Sequence, residues 1–178
     1  MGVAESLALL DKSREKKWLN DIIKIFRRRR FGTEKGFESD IKRILIPTAG
    51  GPNARFAVEL SVELARSNDI TVTVVSFATG NWSPVAEKFI EDTLKDIDLN
   101  SVKLEKKILR DGTLLESLLN EAKQNNLVII GASRRSLYYQ MRKGSLPVEL
   151  AIFSDVPVLI VKKFEGAVRS WLKRFLGI

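Results

Sequence analysis

The chain has 178 residues, 44% of them hydrophobic, and 30 Lys and Arg against 22 Asp and Glu give a net charge of +8. That length suffices for one domain with a sizeable core plus extra segments, and no apolar run reaches the roughly 18 residues a membrane span needs. Cysteine and histidine are both absent, which excludes disulfides, thiol chemistry, imidazole acid–base catalysis and zinc sites, and leaves only oxygen-liganded metals such as magnesium on a nucleotide.

A chain without cysteine is compatible with a reducing cytoplasm. The first residues place charge after the apolar stretch rather than before it, so no secretory signal is read. Met1-Gly2 with Ser6 formally fits a myristoylation pattern and is taken as a chance match. Charge is segregated along the chain: residues 1–36 carry +5, residues 164–178 carry +2, and residues 37–163 only +1. Three parts are expected: a basic amphipathic segment and linker (1–36), an α/β domain (37–163) and a C-terminal amphipathic helix (164–178).

Residues 4–30 read as one helix, with Trp18, Ile22, Ile25 and Phe26 on one face. Lys16, Lys17, Lys24 and the run Arg27 to Arg30 supply charge. Three roles stay open: packing on the domain or on a second copy, lying on an anionic membrane surface, or, least favoured, binding nucleic acid. A polar linker follows, then a first strand over 41–47. The next loop ends at Asn53, expected to cap a helix whose buried stripe is Ala54, Ala57, Val58, Ser61, Leu64 and Ala65. A second strand spans 70–78; a helix over 85–96 turns Phe89, Ile90 and Leu94 inward. A third strand covers 102–109. Thr113 and Glu116 have capping-box spacing and open a helix with Leu115, Leu118, Leu119 and Ala122 toward the core. A fourth strand covers 127–130, a helix 146–153 and a fifth strand 156–161. The tail sets Val168, Trp171, Leu172, Phe175 and Leu176 on one face. Strands alternating with helices imply parallel pairing and right-handed crossovers, a doubly wound sheet whose ligand space lies beyond the carboxyl ends of its strands.

The stretch from Asn126 to Glu149 has the make-up of an anion cradle. A short apolar strand ends on Gly131; a loop carries Arg134, Arg135, Arg142 and Lys143; Gly144-Ser145 closes it, and Pro147 suits a helix's first turn. Glycines admit close backbone approach, and a helix N-terminus offers free N–H groups. Ser145 has two open roles, capping its helix or donating to a phosphate. By spacing alone a plain turn is as good a reading. The loop is neither a P-loop nor a Gly-x-Gly-x-x-Gly fingerprint.

This stretch resembles the C-terminal signature of the universal stress protein family: Gly, two residues, Gly, nine residues, Gly-Ser/Thr. Here Gly131 is followed by Ala132-Ser133, then Arg134 in place of the second glycine, nine residues, and Gly144-Ser145. The apolar strand before it and the run from Asp155 to Val161 match as well. The resemblance implies a five-stranded parallel sheet of order 3-2-1-4-5. It also implies an adenine nucleotide (ATP, AMP or a cyclic adenine dinucleotide) with its adenine against Phe77 and its phosphates on Gly131, Ser133, Arg134, Gly144, Ser145 and Leu146. The loop after the first strand, Pro47, Thr48 and Ala49, completes the candidate cofactor site; Ala49 falls where binding members of the family have a ribose-contacting aspartate. Magnesium is expected only with a nucleotide. The loop IPTAGGPNA and the ending EGAVRSWLKRFLGI further resemble the cytosolic stress-protein domains attached to prokaryotic amino acid permeases. That likeness implies a cytoplasmic module at the inner face of a membrane, cut from a transporter or free-standing.

Two functions from different classes follow. One is a non-catalytic regulatory module that senses an adenine nucleotide at or on a membrane amino acid transporter. The alternative is a dimerisation or scaffold domain with a degenerate, empty site. An enzyme is the weakest reading, because no carboxylate pair, nucleophile–base set or metal cluster stands out. A homodimer is expected along the fifth strand, whose apolar edge is otherwise exposed.

Overall fold

The computed structural model describes residues 9–10, 41–66, 68–80, 83–132 and 145–163. Its elements are β1 (Leu9–Leu10), β2 (Arg43–Pro47), α1 (Pro52–Arg66), β3 (Thr71–Phe77), α2 (Ser83–Leu94), β4 (Lys103–Leu109), α3 (Leu114–Ala122), β5 (Leu127–Gly131), α4 (Leu146–Phe153) and β6 (Val158–Val161). The strands form one parallel sheet in the order β1-β6-β5-β2-β3-β4. Apart from β1 at one edge, its five strands have the expected 3-2-1-4-5 arrangement.

Successive residues of a strand face opposite sides of the sheet. In this chain both sides are apolar, as in a parallel sheet covered by helices. Ile44, Ile46, Val72, Val74, Leu127, Ile129, Leu159 and Val161 face α1 and α2. Leu45, Val75, Val128, Ile130, Val158 and Ile160 face α3 and α4. Helix α1 buries more than its expected stripe, since Phe56, Leu60 and Val62 are also enclosed; it packs on the sheet beside α2. β4 is a half-exposed edge strand whose lysines discourage further pairing.

Two local expectations are corrected. Asn53 does not cap α1. Pro52 takes the first helical position, which suits its fixed φ and missing N–H. The backbone carbonyl of Gly51 therefore receives the first helical N–H, from Arg55 at 3.1 Å, and Asn53 lies within the first turn. At the other end of the sheet, Leu9–Leu10 belongs to a strand, not a helix: Leu9 pairs with Ile160 and Leu10 with Val161. An edge strand offers a row of unpaired backbone groups, and this short segment meets part of that demand on β6. The remainder of the expected N-terminal helix and the whole of the C-terminal one lie outside the described residues.

Candidate functional site

Helices α1 and α4, which follow β2 and β5, cover opposite faces of the sheet, so the winding reverses between these two strands. Such a reversal opens a crevice beyond the strand ends, and a cleft of about 400 Å³ lies there. Pro47, Thr48 and Ala49 reach it from the end of β2, Phe77 from β3, Gly131 from β5, and Ser145 and Leu146 from the start of α4. Every expected site residue that falls within the described segments thus borders one cavity. Ser133, Arg134 and Gly144 lie outside those segments.

The loop after β2 is fixed from within. The N–H of Thr48 donates to the carbonyl of Val75 at 2.8 Å. Thr93 Oγ1 donates to the carbonyl of Phe89 at 2.6 Å, which uses its only hydrogen. In the 2.7 Å contact between the Thr48 and Thr93 hydroxyls, Thr48 is therefore the donor. Its oxygen in turn accepts the N–H of Gly50 at 2.9 Å. This relay carries the loop into Gly50 and Gly51, at φ +81° and +91°, a region that favours glycine. Phe89 supports it from below: a Cβ on Gly50 would sit 3.4 Å from the ring. Sequence reading assigned Phe89 to the core and missed it as a cleft wall; its fourfold spacing from Thr93 on α2 was the available signal.

Gly131 has a structural task besides bordering the cleft. A Cβ there would lie 2.7 Å from both the nitrogen of Ala54 and the carbonyl carbon of Asn53. The first turn of α1 can approach β5 only because this residue has no side chain. Asn53 then ties the strand ends together. Its Nδ2 donates to the carbonyl of Ala132 at 2.7 Å, and its Oδ1 accepts the N–H of Lys163 at 2.9 Å.

α4 turns its N-terminus to the cleft. Ser145 is its N-cap with extended backbone (φ −152°, ψ 148°), and its side chain makes no capping bond. Of the two roles open to this residue, side-chain capping is not the one adopted. The helix end retains N–H groups and the positive end of the dipole.

Among the described residues, the lining contains no Asp, Glu, Lys or Arg. The carboxylates with displaced titration sit elsewhere. Glu105 is held below the ordinary range by its hydrogen bond from Arg43, Asp69 by its hydrogen bond from Lys103, and Glu116 by the backbone N–H and then the hydroxyl of Thr113. No group of three or more Asp and Glu able to hold a metal ion occurs among the described residues. The described lining offers apolar walls, two aromatic rings, hydroxyls and the first residues of α1, α3 and α4: a surface for a flat, uncharged body with an anionic end.

The sequence matches the universal stress protein family over residues 40–162; no curated protein sequence matches it. Several solved structures share the fold. A universal stress protein in complex with cAMP superposes with a TM-score of 0.55 at 14% identity, covering 68% of this chain and 97% of its own. The universal stress protein from Archaeoglobus fulgidus in complex with dAMP gives 0.53 at 15% identity, covering 67% and 96%. A family protein from Burkholderia pseudomallei gives 0.51 at 15% identity, covering 71% and 98%. With the family match over most of its length and the fold in agreement, the chain belongs to the universal stress protein family.

Proposed function

We propose that this domain is a non-catalytic regulatory module that binds an adenine nucleotide in the cleft between β2, β3 and β5. The observation that carries the reading is the cavity at the winding reversal, whose described lining is uncharged, with Phe77 and Phe89 on its walls. It adjoins a segment, residues 133–144, that contains Arg134, Arg135, Arg142 and Lys143. An adenine ring fits such walls through stacking and dispersion. Phosphates would be held by Gly131, Ser133, Arg134, Gly144, Ser145 and Leu146, from backbone N–H groups, the helix N-terminus and charge-assisted arginine contacts. Magnesium, with no carboxylate in the described lining, would arrive on the phosphates. The ligands of two relatives, cAMP and dAMP, support the same chemistry.

The basic terminal segments, with most of the net charge, are assigned to a membrane surface or to a transporter of the amino acid permease kind. Each basic residue near an anionic surface contributes about 1 kcal/mol. No described helix is long and apolar enough to cross a membrane, so attachment would be peripheral or through a linked domain. A homodimer through β6 is part of the same proposal, with β1 competing for that edge.

Ala49, a methyl where a sugar would need an acceptor, favours a second reading: a scaffold whose site is empty. Thermal melting of the full chain with millimolar ATP, AMP and cyclic di-AMP separates the two. A nucleotide at 100 times its dissociation constant stabilises by about 2.7 kcal/mol; an unchanged melting temperature with all three leaves only the scaffold. Sedimentation with anionic and neutral vesicles, for the full chain and for residues 37–178, tests the terminal segments.

A further inference from the structure

The two flanks of α1 can be told apart by their hydrogen bonds. Asn53 lies on the flank toward β5 and β6, since its amide joins Ala132 and Lys163. Positions three and seven residues further on share that flank; they are Phe56 and Leu60. Arg66 marks the opposite flank, because it reaches Asp98 beyond the end of α2, and Val62 stands one turn before it. Phe56 and Leu60 are each only 2% exposed. Among the described residues, α2 is the one other helix on this face of the sheet, and it lies on the far flank. Phe56 is about 140° round the helix from Ser61, at 100° per residue, and Ser61 belongs to the stripe that faces the sheet. The sheet beneath does not enclose Phe56, so another part of the chain does.

The strand order names that part. β1 pairs in parallel with β6 at one edge, and β2 lies beyond β6 and β5. Residues 11–40 must therefore run from the carboxyl end of β1 to the amino end of β2. Crossovers between parallel strands are right-handed. The steps β2 to β3 and β3 to β4 run one way along the sheet, with α1 and α2 on one face. The steps β4 to β5 and β5 to β6 run the other way, with α3 and α4 on the opposite face. The step from β1 to β2 runs the same way as β2 to β3. Its connection belongs on the α1 face, over β6 and beside Phe56 and Leu60. As a helix, residues 17–30 would be about 21 Å long, enough to cover a strand of about 17–20 Å.

We infer that residues 11–40 are a strap docked on α1. Trp18, Ile22, Ile25 and Phe26 cover Phe56 and Leu60, and Lys16, Lys17, Lys24 and Arg27, on the other side of the segment, turn outward. The N-terminal segment is then an integral part of the domain: β1 closes the edge of β6, and the apolar stripe closes the flank of α1. The membrane contact proposed above would use the charge of this segment and not insertion of Trp18. The strap does not depend on a bound nucleotide.

The chain has no cysteine, so pairs of spin labels can be placed in the full chain without background. Glu63 follows Leu60 by three positions and is exposed; Asn20 shares the basic side of the segment. Packed helices have axes about 8–10 Å apart, so Asn20→Cys with Glu63→Cys should give a narrow distance distribution centred below about 25 Å. Asn20→Cys with Lys123→Cys, at the end of α3 on the opposite face, should give a longer distance. A shorter distance to position 123 than to position 63, or a broad distribution for both pairs, overturns the inference. Ile22→Asp in the full chain should lower the melting temperature by about 5 °C or more. An Ile22→Asp variant that melts with the wild type overturns the docking, and a loss seen with Leu172→Asp instead gives the cover to the C-terminal segment.

Discussion

Asn53 and Lys163 stand 110 residues apart in sequence, yet the side-chain carbonyl of one accepts the backbone N–H of the other at 2.9 Å. The same amide donates to Ala132 at 2.7 Å, so one side chain joins α1 to the carboxyl ends of β5 and β6. Asn53→Ala removes both bonds and strands a buried carbonyl. It should cost about 2–3 kcal/mol, read as a lower urea midpoint with unchanged slope, and should also weaken any ligand bound in the cleft. Asn53→Asp keeps the acceptor but sets a carboxylate against the Ala132 carbonyl, so it should recover only part of the loss.

Gly131→Ala should be more damaging than its size implies. The added methyl meets backbone of Asn53 and Ala54 at 2.7 Å, and backbone cannot swing aside as a flexible side chain can. A loss of about 3 kcal/mol or more is expected. Gly51→Ala makes the comparison: a Cβ there meets nothing within 4 Å, so only its positive φ is strained, at about 1 kcal/mol. Equal melting temperatures for the two variants would contradict the packing account.

Glu121 is 8% exposed and receives Lys107 Nζ at 2.7 Å. Lys107→Ala leaves that carboxylate enclosed without its cation and should destabilise by about 1–3 kcal/mol, below the cost of a fully buried pair because the lysine end is half exposed. Glu121→Leu should cost less, since Lys107 can extend into water and the leucine packs beside Leu118. The order of the two urea midpoints is the check.

Acid should weaken the domain with a defined sign. Glu105, Asp69 and Glu116 all titrate below their ordinary range in the folded state, chiefly through hydrogen bonds from Arg43, Lys103 and Thr113. A carboxylate with a depressed folded pKa contributes stability that is complete above its unfolded pKa and is lost as pH falls through the folded one. Stability should therefore be level near neutrality and decline below about pH 4.5. Glu105→Gln should lower the neutral plateau and shrink the acid decline. A variant whose acid profile runs parallel to the wild type would remove the Arg43 contact as a cause.

Thr93→Val tests the relay beneath the cleft. It deletes the acceptor for Thr48 and frees the carbonyl of Phe89, at a cost of about 1–2 kcal/mol. The loop through Gly50 should loosen with it, seen as faster amide exchange at Gly50, whose N–H is bound to Thr48 Oγ1 at 2.9 Å.

By itself the sequence determined the alternation of strands and helices, because that information is local. Continuous apolar runs mark strands buried on both sides, as at Leu127–Gly131. Thr113 and Glu116 declare a helix start through their spacing, and the capping box is present in full. The helix Leu146–Phe153 was legible to the residue, from Pro147 after Gly144-Ser145. Family resemblance then placed the site residues on three separate strand ends. Only the tertiary structure decided what those residues do there. Asn53 looked like a cap because capping is a local role; its partners are reached only when β5 and β6 lie side by side. Gly131 looked like a phosphate glycine, and the turn of α1 packed against it became visible only once the helix was placed. Thr48 is committed to Thr93, 45 residues away, and Leu9–Leu10 is extended because β6 presents an open edge. In each case the deciding contact joins residues remote in sequence, and chain periodicity carries no record of such pairs.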